Sequence, residues 1–180
     1  MKLVVASALF PPDVAPPAPF LKTLVTRLAP SHEVTAVVYG KLPEEVPGVT
    51  FVPIDKEVGR FKRLVEFTRA LVRAARDADI VFAENGPSTE LPVILTSLLT
   101  RTPVLLHRGD TLAISVAGPF ARVLQWVAEH RSKHVFTESP KERPEILPFA
   151  ERPEQALKDY DASWNTFMQN LEQTLSHVTR

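Results

Sequence analysis

The run Leu3-Val4-Val5-Ala6-Ser7-Ala8-Leu9 limits the fold more than any other stretch of the chain. It is small or β-branched and almost wholly apolar, with no polar alternation. That pattern fits a strand buried on both faces, in the middle of a parallel sheet. Parallel neighbours need crossover connections, most often helices. One is expected over Pro17–Leu28, with Phe20, Leu21, Leu24, Val25 and Leu28 on a single stripe. In an open α/β sheet, ligands sit in the crevice outside the carboxyl ends of the strands. The loop Phe10–Pro19 leaves the first strand at such an end, and Pro12 and Asp13 are its candidate ligand contacts.

The same alternation continues along the chain. Strands are expected at His32–Tyr39, Val49–Ile54, Asp79–Ala83, Pro103–Leu106 and His134–Thr137, and helices at Gly59–Ala78, Thr89–Thr100 and Pro119–Arg131. A short extended piece is expected at Glu145–Phe149. The tail Pro153–Val178 is helical, with Leu157, Tyr160, Trp164, Phe167, Met168, Leu171, Leu175 and Val178 in steps of three and four. Asp161 or Ser163 marks a break and recap within it. The expected fold is a Rossmann-like, doubly wound parallel α/β sheet of about six strands, with helices on both faces and a long C-terminal helical segment packed back on it. Residues 1–151 form the domain and 152–180 the segment.

Composition removes several function classes. The 180 residues carry 21 basic and 21 acidic side chains, which argues against nucleic acid as a partner. With no cysteine, disulfide and thiolate chemistry are excluded, as suits a reducing compartment. The longest N-terminal apolar run is too short for a membrane span and no leader cleavage pattern follows it, so a cytoplasmic location is expected. Neither G-x-G-x-x-G nor G-x-S-x-G occurs, which disfavours a dinucleotide dehydrogenase and a serine nucleophile elbow. The five histidines lack tight ligand spacing, since His130 and His134 are i,i+4 only if one helix runs through both; no metal is expected.

Two sets of polar residues remain. Glu84, Asn85, Gly86, His107, Arg108, Asp110 and Glu138 each end or follow a strand and should collect on the ligand-bearing edge. Glu84 and Glu138 could there raise one another's pKa, and Arg108 could meet a phosphate, a carboxylate or Asp110. The helix at Gly59–Ala78 has an apolar side (Phe61, Leu64, Val65, Leu71, Val72, Ala75) and a charged one. Lys62, Arg69, Arg73 and Arg76 on that side are either an ordinary solvated face or a peripheral contact with an anionic membrane surface.

The opening MKLVVASALFPPDV with the following His32-Glu33-Val34-Thr35, then Asp79-Ile80-Val81-Phe82, Pro103-Val104-Leu105-Leu106-His107 and Lys133-His134-Val135-Phe136-Thr137-Glu138-Ser139, form an ordered series. The series resembles the N-terminal, acceptor-side domain of family 4 glycosyltransferases over roughly residues 1–150, and Tyr160-Asp161-x-Ser163-Trp164 resembles the helix that returns to that domain. The resemblance implies a two-domain architecture reacting in the cleft between Rossmann-like halves, with the sugar nucleotide on the second half, near two glutamates separated by seven residues. Between Ser139 and Pro153 there is no room for that second domain, so the chain resembles the first half alone, as a natural short protein or an excised piece.

By the same resemblance, His107 takes the place of a strand-five histidine in an H-G turn, with Arg108 intervening before Gly109, and is the candidate catalytic residue. Val14–Pro17 stands where the family has a glycine pair, and proline offers no N–H to a phosphate. Several such relatives act on lipid-linked acceptors at membranes. The implied function is sugar transfer from a nucleotide donor to a hydroxyl acceptor. No cofactor would be tightly bound. A nucleotide sugar would bind only when a separate donor-binding chain completes the site, and the isolated chain would be inactive. The rival reading is a non-enzymatic binding or self-assembling module, a homodimer through the exposed cleft face. A scaffold trimmed by design is a third.

Overall fold

A computed structural model of the protein describes residues 1–15, 17–109, 118–141 and 153–179. These fall into two compact units, Met1–Thr137 and Glu138–Arg180. The expected extended piece at Glu145–Phe149 lies outside the described residues.

The first unit is built on β1 (Lys2–Ser7), β2 (Glu33–Tyr39), β3 (Val49–Ile54), β4 (Ile80–Glu84), β5 (Val104–His107) and β6 (His134–Phe136). They form one six-stranded sheet in the order β3-β2-β1-β4-β5-β6, and every pairing is parallel. The doubly wound α/β sheet expected from the sequence is therefore present. Leu3, Val4, Val5 and Ala6 of β1 are each at most 2% exposed, as the unbroken apolar run requires. The connecting helices are α1 (Pro17–Leu28), α2 (Arg60–Arg76), α3 (Pro87–Thr100) and α4 (Pro119–Arg131).

Strand order reverses at β1. Right-handed crossovers then put α1 on one face and α2, α3 and α4 on the other. Pro17, Ala18, Leu21, Leu24, Val25 and Leu28 of α1 are buried. The opposite layer packs Phe67, Leu71 and Ala75 of α2, Val93 and Ile94 of α3 and Ala128 of α4 against Val4, Ala6, Val37, Val81 and Leu106. Phe61, expected on the apolar side of α2, is 80% exposed, and Phe67 fills the core instead. Phe61 stands in the first turn of α2, six residues before Phe67. Lys62 pairs with Glu66 at 3.7 Å, while Arg69, Arg73 and Arg76 are exposed.

Tyr39, at the end of β2, donates its hydroxyl to the Ser88 carbonyl at 3.1 Å, and the Arg63 guanidinium lies 5.3 Å above its ring. Burial pushes the phenol from 10.0 up to about 12, with the Arg63 charge opposing.

In the second unit, α5 (Pro153–Val178) runs unbroken for 26 residues. The break expected at Asp161 or Ser163 does not occur. The Ser163 hydroxyl donates back to the Tyr160 carbonyl at 2.7 Å within the helix, and its oxygen accepts the Lys141 N–H at 3.0 Å.

Two outcomes follow from this packing. Leu71→Ala, which empties a fully buried site, should lower unfolding free energy by about 3 kcal/mol in urea titrations. Because the folded pKa of Tyr39 is raised, its stabilising contribution is complete below pH 10 and is lost as the pH rises through about 12. Urea titrations at the two ends of that window should show a larger drop for the wild type than for Tyr39→Phe.

Candidate functional site

β4 and β5 end together. Their register pairs Ala83 with Leu106 and Glu84 with His107, so the last side chains of the two strands project side by side on one face of the sheet. Glu84 and His107, expected to end or follow their strands, are the closing residues of both. They are 2% and 1% exposed.

The two groups bond to each other. His107 Nδ1 lies 2.7 Å from Glu84 Oε2, and the Gly109 N–H donates to Glu84 Oε1 at 3.0 Å. An ionised carboxylate only accepts, so with Glu84 charged the ring donates its Nδ1–H to it. The ring is held from its face as well. Phe20, in the first turn of α1, stacks on it with centroids 4.3 Å apart, and Phe82 lies at 6.1 Å. Carboxylate, backbone amide and aromatic face together fix the ring's position, tautomer and tilt.

Gly109 is the tightest point. A Cβ there would stand 2.7 Å from Glu84 Oε1 and from His107 Cε1, and 2.9 Å from His107 Nδ1. Only glycine lets the chain turn this close to the pair.

Next to the pair, Asn85 is 4% exposed and its N–H donates to the His107 carbonyl at 2.9 Å. Gly86 adopts φ 144° at the start of α3, where its N–H points at Glu90 Oε1 at 3.4 Å. Burial raises the Glu90 carboxyl above the usual carboxylate range; the Gly86 bond acts the other way and the Glu129 charge adds to the rise. Ser7, Ala8, Leu9, Pro17, Glu84, Asn85, Gly86 and Ser88 line a cavity of about 70 Å³ at this edge. Ligand clefts usually enclose about 300–1,000 Å³. Among the described residues, this edge therefore forms a floor rather than an enclosure.

Pro12, after a cis Pro11–Pro12 bond, is exposed, and Asp13 pairs with Lys56. Arg108 is held by Glu129 of α4, Nε to Oε1 at 3.3 Å, and its N–H donates to the Phe136 carbonyl. Asp110 lies outside the described residues. Glu138 belongs to the second unit and is exposed. Among the described residues, no three His, Cys, Asp or Glu side chains are grouped to hold a metal ion. No helix there is long and apolar enough to cross a membrane.

Ser7, Phe20 and Gly109 were missed as parts of the site. Ser7 had a signal, being the one polar residue in the apolar run Leu3–Leu9; its hydroxyl bonds both to the carbonyl and to the N–H of Leu9. Phe20 sat unnoticed in the helical stripe of α1.

No protein-family model matches the sequence, and no curated protein does. Solved structures do match in shape. Anabaena HepE, determined with UDP and glucose, has a TM-score of 0.55 at 15% identity, covering 75% of this chain and 37% of its own. The UDP-GlcNAc 2-epimerase of Methanocaldococcus jannaschii has a TM-score of 0.50 at 13% identity, covering 77% of this chain and 40% of its own. The likeness defines the class of fold: a GT-B-like Rossmann domain. The chain spans about two fifths of the length of these neighbours.

Gly109→Ala should cost about 1–3 kcal/mol in urea titrations, since the new methyl must push the carboxylate or the ring out of place. The His107 ring-nitrogen resonances should shift with it.

Proposed function

We propose that this chain is the acceptor-side half of a sugar-nucleotide-dependent glycosyltransferase of the GT-B kind, inactive until a donor-binding polypeptide closes over its strand edge. One observation carries the reading. The Glu84–His107 pair ends adjacent central strands of a GT-B-like sheet, beside an open floor of about 70 Å³. The likeness to HepE, a structure holding UDP and glucose, supports it.

The roles follow from the chemistry. Glu84 orients His107 and stabilises its imidazolium whenever the ring takes up a proton. Asn85, Gly86 and Arg108 are proposed to meet sugar or acceptor hydroxyls beside it, and Asp110 is assigned the same role from its sequence position alone. Transfer moves the glycosyl carbon from the donor's phosphate oxygen to the acceptor's hydroxyl oxygen, and the acceptor proton must leave. Orientation of the acceptor and charge stabilisation at the departing phosphate account for the rate. The second task falls to the partner, since the first loop carries Pro17 where an N–H donor would be needed.

The pure chain, given UDP-glucose and alkyl glycosides, should transfer no sugar in a radiolabel assay. In 15N NMR titrations, acceptor glycosides should shift the amides of Asn85, Gly86, Arg108 and Gly109, and His107→Ala should weaken that binding about tenfold, the worth of one buried hydrogen bond. Sugar transfer by the pure chain would overturn the half-enzyme reading. Unmoved amides at this edge, with both glycosides and UDP-glucose, would overturn the site.

A further inference from the structure

α4 exposes an apolar strip where a surface helix is expected to be polar. Phe120, Val123 and Trp126, in steps of three, are 72%, 57% and 59% exposed. On α3, Leu98 and Leu99 near the C-terminal end of the helix are 53% and 69% exposed. The C-terminal turns of the two helices lie together, since Arg131 Nε of α4 donates to Ser97 Oγ of α3 at 3.1 Å. Exposed large side chains grouped in this way mark an interaction surface.

Charge identifies the occupant. At 3.6 residues per turn, Arg122 borders one side of the Phe120–Trp126 strip and Arg131 the other. Arg101 caps α3 nearby. Neither carboxylate of the two helices is fully exposed: Glu90 is 3% exposed, and Glu129, half-buried, is held by Arg108 and Gln125. α2 packs against the far side of α3 and presents Arg69, Arg73 and Arg76 to solvent. It carries six basic residues against the single acid Glu66. The whole chain is neutral, so this layer holds positive charge that is balanced elsewhere in the molecule.

From this we infer that the α2–α3–α4 layer docks on an anionic lipid surface, with Phe120, Val123 and Trp126 entering the interface and the arginines meeting the headgroups. Bulky apolar and aromatic residues flanked by arginine, with no exposed carboxylate between them, are what such an interface selects. A cationic face beside them adds attraction that weakens with salt. The inference stands apart from any sugar chemistry at the strand edge.

Vesicle flotation of the full chain tests it. Mixed phosphatidylglycerol–phosphatidylcholine vesicles should retain the protein, and phosphatidylcholine vesicles should retain about tenfold less or weaker still. The combined change Phe120→Ser, Val123→Ser, Trp126→Ser should reduce retention about tenfold with circular dichroism unchanged, as should Arg73→Glu with Arg76→Glu. Brominated phosphatidylcholine in the mixed vesicles should quench the indole emission that the Trp126→Ser change removes. The inference is overturned if the anionic vesicles retain nothing, or if the serine variant binds as well as wild type, which is adsorption by charge alone. It is also overturned if light scattering finds a dimer that the serine changes dissolve while vesicles bind neither protein, which would assign the face to a second copy.

Discussion

β1 is the constraint on which the rest of the first unit depends. It pairs in parallel with β2 on one side and β4 on the other, and both of its faces are covered. Parallel ladders hold only when helices cover the sheet, because the crossovers that permit them must run over its faces. The reversal of strand order at β1 then decides which helix covers which face. It also leaves a crevice between the ends of β1 and β4, where Ser7, Leu9, Glu84 and Asn85 meet. Fold and candidate site are thus two results of one pairing.

The Glu84–His107 pair has a cost that the surrounding structure offsets. Two polar groups at most 2% exposed are expensive to bury unless their hydrogen bonds are made. Here both carboxylate oxygens are used, one by the ring and one by the Gly109 amide. Replacing either partner alone would strand the other, which is a larger penalty than the pair's net contribution. Such an arrangement suits a position where orientation matters more than stability.

Much of the architecture was legible because strands buried on both faces read as continuous apolar runs, and all six runs were bounded within about two residues at each end. Leu3–Leu9 and Val49–Ile54 needed no tertiary information to be assigned. The edge residues were legible too, since Glu84 and His107 close apolar runs. Their bond to each other was not. It depends on the register of β4 against β5, and residues 23 positions apart carry no local trace of that register. Within the first unit the partners of Glu84 include His107 and Gly109. Phe61 and Phe67 show a similar limit: both are aromatic and on the same helix, but six residues set them about 120° apart around its axis, and Phe61 stands in the first turn. Ser163 shows the converse, a residue with capping chemistry that satisfies its hydroxyl inside a continuous helix.

The stacking of Phe20 on His107 has a mechanical consequence. Phe20 belongs to the first turn of α1, and the rest of that helix is anchored in the core through Leu21, Leu24 and Leu28. The imidazole is therefore wedged between a strand end and a helix start. Any ligand that makes the ring tilt must either displace the phenyl group or carry the first turn of α1 with it. Occupancy at the strand edge and order at the opening of α1 thereby become two readings of one equilibrium, and a molecule bound at the first would be felt as tightening or loosening at the second.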